Sequence, residues 1–398
     1  MAAETKSHTL SDTGCRRVFA VFRPIFCLLA WAFYGIHQAS KRYDEPVLIL
    51  SNHTTDMDFV VVSACIRNHM YFVCSQHVLG MGLFGQLFKQ LFNPIGVFKG
   101  AAKPAEVKEM VRRVRRGNSI LLFVEGRISH NGRTLQIDPS AAKLAKLLKC
   151  RLVTFRTEGG YFKQPRWQGY LNRGKLFRAG IVHEYAPEEV AAMPAGELLA
   201  HIREDLDVDA YALQRVYHHR FPLVHGVRDI TRYYDVCPCC RGVDTLHAAG
   251  DRVICSCGYS MQYDEYGYFH GSPQLIATTQ EWERLQLETY HAHFAAGDFF
   301  SDPDTELVET TEMFRKTPVL RGTLEGRADG LQIGTYFFPF AELRTPELIG
   351  GGAALALTCG GVHYLLQKDG ACMNKYLELY LWAKERADTG LRAAADGS

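Results

Sequence analysis

Hydrophobic positions fall into three patterns along the chain. From Arg16 to Ile36 the run is almost wholly apolar and aromatic, broken only by Arg23-Pro24. A helix that crosses a bilayer needs about 20 uninterrupted apolar residues, and proline interrupts a helix. The run therefore predicts an interfacial helix within residues 1–40, with Arg16, Arg17 and Arg23 facing headgroups and Trp31 and Tyr34 at the boundary. A buried first helix of a soluble domain is the competing reading. Residues 1–14 are polar and are expected to fray.

After Pro46 short apolar runs alternate with amphipathic stretches. The pattern predicts strands at Val47–Ser51, Tyr71–Ser75, Gly96–Phe98, Ser119–Val124, Leu152–Arg156 and Lys175–Glu184. It predicts helices at Asp58–Arg67, Leu83–Leu91, Pro104–Arg116 and Pro139–Lys149, then a helical arm from Pro187 to about His218. Such alternation implies an α/β domain, here residues 41–228, with a mainly parallel sheet flanked by helices. Beyond Glu281–Phe294, which reads as a helix, short Gly-punctuated runs predict strands at Val319–Leu324, Gly330–Gly334, Tyr336–Pro339, Ala354–Thr358 and Val362–Leu366. Met373–Lys384 is amphipathic, and residues 391–398 read as a disordered tail.

Charge sharpens this division. Residues 1–228 carry 31 Lys and Arg against 19 Asp and Glu, and residues 229–398 carry 14 against 24, so a net charge of +2 hides halves of +12 and −10. A basic first half suits anionic lipid surfaces, phosphate-bearing substrates or an acidic carrier. The acidic second half and the lack of a recognition helix or RNA-binding signature argue against nucleic acid.

Chemistry concentrates at strand ends. Val47–Leu50 runs into Ser51-Asn52-His53-Thr54-Thr55-Asp56-Met57-Asp58, and Ile120–Val124 runs into Glu125-Gly126-Arg127. A carboxylate five residues beyond a histidine can fix its tautomer and leave the other ring nitrogen free to take a proton from an alcohol. Ligands of parallel sheets bind beyond the strand C-termini, so His53, Lys99 and Glu125, each after a predicted strand, can converge there. No Gly-x-Ser-x-Gly nucleophile elbow is present, which disfavours a lipase-like hydrolase.

These blocks resemble the glycerophospholipid acyltransferase family, in particular the 1-acylglycerol-3-phosphate acyltransferases, over about Pro46 to Gln214. The resemblance implies that His53 is the general base and Asp58 its orienting carboxylate. It implies that Glu125 and Gly126 help place phosphate and glycerol. The family's Pro before Glu is Val124 here, and its Arg, usually two residues after Gly, is displaced to Arg127, so Lys99 or Arg133 is a candidate to compensate. The implied reaction moves a fatty acyl group from acyl-CoA or acyl carrier protein to a lysophospholipid hydroxyl at the cytoplasmic face of a membrane. A non-catalytic lipid-binding scaffold with the same fold is the alternative. Placement at a pocket rather than in the core predicts that His53→Ala and Asp58→Asn leave the fold intact.

Five of the 12 cysteines lie between Cys237 and Cys257. Clustered pairs without a secretory signal read as metal ligands rather than disulfides, although unliganded thiols are the simpler alternative. Cys237 and Cys240, then Cys255 and Cys257, resemble the two knuckles of a zinc ribbon over residues 229–272. The second pair is one residue short of the usual gap, and Cys239 could replace Cys240. Four protein ligands imply a closed, structural zinc. Residues 273–390 loosely resemble a helix followed by a pleckstrin-homology-like β domain.

Overall fold

Six strands make one sheet in the order β3-β2-β4-β1-β5-β6: β1 (Val47–Ser51), β2 (Met70–Ser75), β3 (Ile95–Val97), β4 (Ser119–Phe123), β5 (Arg151–Glu158) and β6 (Arg178–Tyr185). The first five are parallel, and β6 runs antiparallel to β5. The computed structural model describes residues 10–37, 40–75, 79–80, 82–97, 104–310 and 316–396. The chain divides into two compact units, residues 1–165 with 172–221, and residues 166–171 with 222–398.

The helices of the first unit are α1 (Asp12–Leu29), α2 (Asp58–Cys65), α3 (Gly82–Phe92), α4 (Pro104–Arg115), α5 (Ser140–Leu148), α6 (Gly160–Lys163), α7 (Pro187–Ala192), α8 (Ala195–Leu206) and α9 (Ala210–Tyr217). Crossovers through α2 and α3 run toward one sheet edge, and those through α4 and α5 run back. Right-handed crossovers place the two pairs on opposite faces. Alternate side chains of β2 show it. Phe72 packs on Phe59 of α2 and on Phe88 and Phe92 of α3, at ring distances of 5.4–5.9 Å. Tyr71 and Val73 join Met110 and Val114 of α4 and Ala141, Ala145 and Leu148 of α5 in a separate core. β1 lies between the two layers and is buried at all five positions, which is why it reads as an unbroken apolar run.

α1 begins at Asp12, capped by Ser11, runs through Pro24 and continues as a π-helical turn to Tyr34. Cys15, Phe19, Phe26, Ala30 and Tyr34 form its buried face. Two of the arginines expected to face headgroups also make hydrogen bonds within the domain, Arg16 from an exposed position and Arg23 from a half-buried one. Arg16 donates to Asn118 Oδ1 at 3.0 Å and to the carbonyl of Gly117 at 3.1 Å, and Arg23 donates to the carbonyl of Ala64 at 3.0 Å. Those carbonyls stand at the C-terminal ends of α4 and α2, where unpaired acceptors and the helix dipole favour cations. The opposite face leaves Val21, Ile25, Leu28, Trp31 and Phe33 exposed.

In the second unit β7 (Leu246–Ala249), β8 (Arg252–Cys255), β9 (Ser260–Tyr263) and β10 (Phe269–Gly271) form an antiparallel sheet. α10 (Thr279–Ala295) follows, opened by a capping box between Thr278 and Glu281. Seven strands, β11 (Ser301–Thr310), β12 (Lys316–Arg327), β13 (Gly330–Ile333), β14 (Tyr336–Pro339), β15 (Arg344–Ile349), β16 (Ala354–Cys359) and β17 (Val362–Gln367), form one antiparallel sheet edged by β14 and β15. α11 (Asn374–Asp396) closes the chain and extends past the Lys384 end expected from the pattern. Fully buried Lys375 binds Asp302 at 2.8 Å and also Asp244, so this sheet is tied to the cysteine-bearing segment within one unit.

Candidate active site

Parallel pairing sets Ser51 level with Phe123, so the loops after β1 and β4 leave the sheet side by side. His53 and Glu125 stand two residues beyond that register. The His53 ring stacks on Phe123 with centroids 4.3 Å apart, and its backbone N–H donates to Glu125 Oε1 at 2.7 Å. Asn52 fixes the other side of the loop. Its side-chain amide donates to the carbonyl of Thr157 at 2.9 Å and accepts from the N–H of Thr157 at 2.8 Å.

Asp58 opens α2 and is fully buried. Its Oδ2 lies 2.9 Å from His53 Nδ1 and accepts the backbone N–H groups of Thr54 (2.6 Å) and Thr55 (2.9 Å). Its Oδ1 accepts the hydroxyls of Thr55 (2.6 Å) and Thr54 (3.3 Å). A carboxylate so placed demands hydrogen on Nδ1, which leaves Nε2 as the acceptor. The His53 side chain is 21% exposed, so that nitrogen is open to an incoming group. Asp58 is thus a core carboxylate, not the pocket-lining one expected, because five donors must be satisfied where water cannot reach.

Glu125 is held by both oxygens, Oε1 by His53 and Oε2 by the N–H of Leu135 at 2.6 Å. Burial pushes its carboxyl up to about 8, against the pull of those N–H groups and of Arg127. Gly126 takes the left-handed conformation, φ +68°, that turns the chain after β4 and that glycine adopts without strain. Arg127 is exposed beyond the turn. Arg133 lies further along and reaches Asp209 at 3.8 Å, so its charge is shared within the domain. Lys99 lies outside the described residues.

Residues 33–158 match the family model described as Acyltransferase. This part of the chain is an acyltransferase domain. The crystal structure of the 1-acyl-sn-glycerophosphate (LPA) acyltransferase PlsC from Thermotoga maritima is similar, with 17% identity, a TM-score of 0.38, and coverage of 51% of this chain and 79% of that one.

Several residues around this candidate site carry no motif in the sequence. Gly160 approaches Thr54 so closely that an added Cβ would lie 2.1 Å from Oγ1, so only glycine lets α6 press on the loop that cradles Asp58. Gln164 exchanges two hydrogen bonds with Asp56, each 2.9 Å. Lys163 is buried and donates to the carbonyls of Asn172 and Gly174, and burial pushes its ammonium down to about 8. The pairing of loop 53–58 with α6 spans about a hundred residues.

In the second unit, the sulfurs of Cys237, Cys240, Cys255 and Cys257 all lie within 4.8 Å of one another and could hold a metal ion. Cys237 to Cys257 and Cys240 to Cys255 are each 3.8 Å. A tetrahedron with metal–sulfur bonds of about 2.3 Å has edges of about 3.8 Å, so the spacing fits zinc. The N–H groups of Cys239, Gly242 and Cys257 point at Cys237, Cys240 and Cys255 sulfurs at 3.4–3.5 Å, as donors to thiolates would. Cys239 contributes that N–H, not its sulfur, to the cluster.

Proposed function

We propose that the protein transfers a fatty acyl group from a thioester, acyl-CoA or acyl carrier protein, to the free hydroxyl of 1-acylglycerol-3-phosphate or a related lysophospholipid. The His53–Asp58 pair carries this reading. His53 Nε2 takes the acceptor's hydroxyl proton as its oxygen attacks the thioester carbonyl. The tetrahedral oxyanion collapses, the carbon–sulfur bond breaks, and the leaving thiolate takes the proton from the imidazolium. Asp58 offsets the transient positive charge and, already saturated with donors, does not rearrange during the step. Glu125 positions the His53 backbone, and Arg127 and Lys99 are the cations for the acceptor's phosphate. Arg133 serves less well there because Asp209 engages it.

The apolar outer face of α1 supports attachment to a bilayer surface, and its inner face, pinned by Arg16 and Arg23, favours lying in the interface over crossing it. Zinc in the four-cysteine cluster would be structural and would supply folding energy to residues 229–272. Incubation of purified protein with a panel of lysophospholipids and both donor types tests the reading: acylated product from wild type and not from His53→Ala supports it, and no product with any pair rejects it.

A further inference from the structure

α1 runs antiparallel along α2. Arg23 reaches the carbonyl of Ala64 at the far end of α2, Phe26 meets Phe59 near its start with ring centroids 6.0 Å apart, and the π-helical turn Ala30–Tyr34 packs on α2 as well. The end of α1 therefore stands beside Asp58, which opens α2. The wide turn decides which side chain arrives there. Phe19 and Phe26 lie two turns apart on the buried face, and an unbroken α-helix would bring Phe33 there next. A π-helical turn takes up about one extra residue. Tyr34 therefore takes that place at 2% exposed, not the headgroup boundary expected for it, while Phe33 and Trp31 face outward at 49% and 53%. The turn is held from behind: Lys175 donates to the carbonyl of Ala32, and the N–H of Leu176 donates to that of Tyr34 at 3.1 Å. The Tyr34 hydroxyl faces the Thr55 side chain, with Asp58 and Asp56 close by. It is buried and has no hydrogen-bond partner among the described residues, which is costly. An acceptor is at hand, because Thr55 Oγ1 donates to Asp58 Oδ1 at 2.6 Å and can still accept.

We propose that Tyr34 is a positioning residue that couples bilayer contact to the His53–Asp58 pair: when Trp31 and Phe33 enter a lipid surface, the turn shifts, the Tyr34 hydroxyl donates to Thr55 Oγ1, and the chain Tyr34–Thr55–Asp58–His53 closes. The proposal rests on the acyltransferase reading above and on attachment through α1. One short turn carries both ends of the link, since the two outward rings and the inward hydroxyl belong to the same five residues. Lipid favours the closed chain by as much as that state seats the two rings better. Closure fixes the Thr55 hydroxyl on Asp58 Oδ1, and the same carboxylate orients His53 through Oδ2. Hydrogen bonds in such a chain polarise one another, so the carboxylate is held more firmly with Tyr34 engaged than without it.

The test uses the full-length protein with a short-chain lysophosphatidic acid and a short-chain acyl-CoA, both of which stay in water, with and without mixed phosphatidylcholine–phosphatidylserine vesicles. Vesicles should raise the wild-type rate about threefold or more, the usual worth of one hydrogen bond, and the Tyr34→Phe rate by less than about 1.5-fold. Flotation of Tyr34→Phe with the vesicles should equal that of wild type. Hydrogen exchange of the peptide that holds Thr54 and Thr55, followed by mass spectrometry, reads the Asp58 cradle without turnover. Vesicles should slow it in wild type and not in Tyr34→Phe. Tyr34→Phe deletes an unpaired hydroxyl, so its urea midpoint should match or exceed that of wild type. An equal rise in both proteins, no rise in wild type, or weaker flotation of the variant overturns the proposal. So does a lower urea midpoint of the variant, which would make the hydroxyl an ordinary structural bond formed without lipid. If wild type transfers nothing under either condition, the acyltransferase reading fails, and the exchange comparison alone decides the link.

Discussion

The backbone N–H of His53 donates to the carboxylate of Glu125 at 2.7 Å, so the end of one strand is fastened to the end of its neighbour 72 residues away. The same carboxylate holds Leu135 through its second oxygen. Glu125 thus links the loop after β1 to the segment after β4 through one hydrogen bond at each oxygen. His53 is held from two sides, its ring by Asp58 and its backbone by Glu125.

Removing the proposed base tests this arrangement most directly. His53→Ala should lower turnover by about 100- to 10,000-fold, the usual contribution of a positioned general base. The protein should remain folded, because the His53 ring is partly exposed. Circular dichroism and an acyl-transfer assay on the same sample decide it; near-wild-type turnover would falsify the role of His53.

Asp58 should respond differently to two substitutions. In Asp58→Asn the amide oxygen can still accept the Thr54 and Thr55 N–H groups, and the two hydroxyls can turn to accept from the new NH₂. Folding should survive while turnover falls, since the imidazolium loses its counter-charge. Asp58→Ala leaves buried donors unpaired, at about 1–3 kcal/mol each. Its urea midpoint should drop well below that of Asp58→Asn, and equal midpoints would contradict the buried network.

Glu125 predicts a pH effect on stability. Its folded value, about 8, lies above the ordinary 4.5. Between those values the native state retains a proton that the unfolded state has lost. This contribution is complete below pH 4.5, declines as pH rises and is lost by about pH 8. Glu125→Gln should remove that decline. Comparing urea midpoints of wild type and variant at several pH values from 5 to 9 measures it; parallel profiles would show that Glu125 is ionised throughout.

Gly160→Ala should disturb catalysis from outside the motifs. The new methyl would sit 2.1 Å from Thr54 Oγ1 and 2.6 Å from Thr54 Cβ, so the Asp58 cradle must shift. Turnover should fall with little change in the global fold. Wild-type kcat would mean that α6 yields instead.

Metal content tests the cysteine cluster. About one zinc per chain should copurify, and Cys240→Ser or chelation should raise protease sensitivity across residues 232–270, whose apolar core is small. Any loss of acyl transfer should be smaller than for His53→Ala. Carefully prepared protein without metal, or metal loss that abolishes catalysis while the segment stays folded, would refute a structural zinc.

By itself the sequence determined the features that local physics controls. Fully apolar runs such as Val47–Leu50 belong in a sheet covered on both faces, and the alternation with amphipathic stretches made that sheet mainly parallel. The five-residue step from His53 to Asp58, and the paired cysteines, put reacting groups within reach through a few bonds of chain. Only the tertiary structure decided what depends on distant partners. It paired Asp56 with Gln164, pressed Gly160 against Thr54, gave Arg16 and Arg23 carbonyl partners at helix ends, and buried Arg113 while neighbouring arginines on α4 stayed in water. A charged residue is written alike whether it meets solvent or a helix-end carbonyl. The choice follows from which unpaired acceptor the fold brings beside it, and no local pattern encodes that.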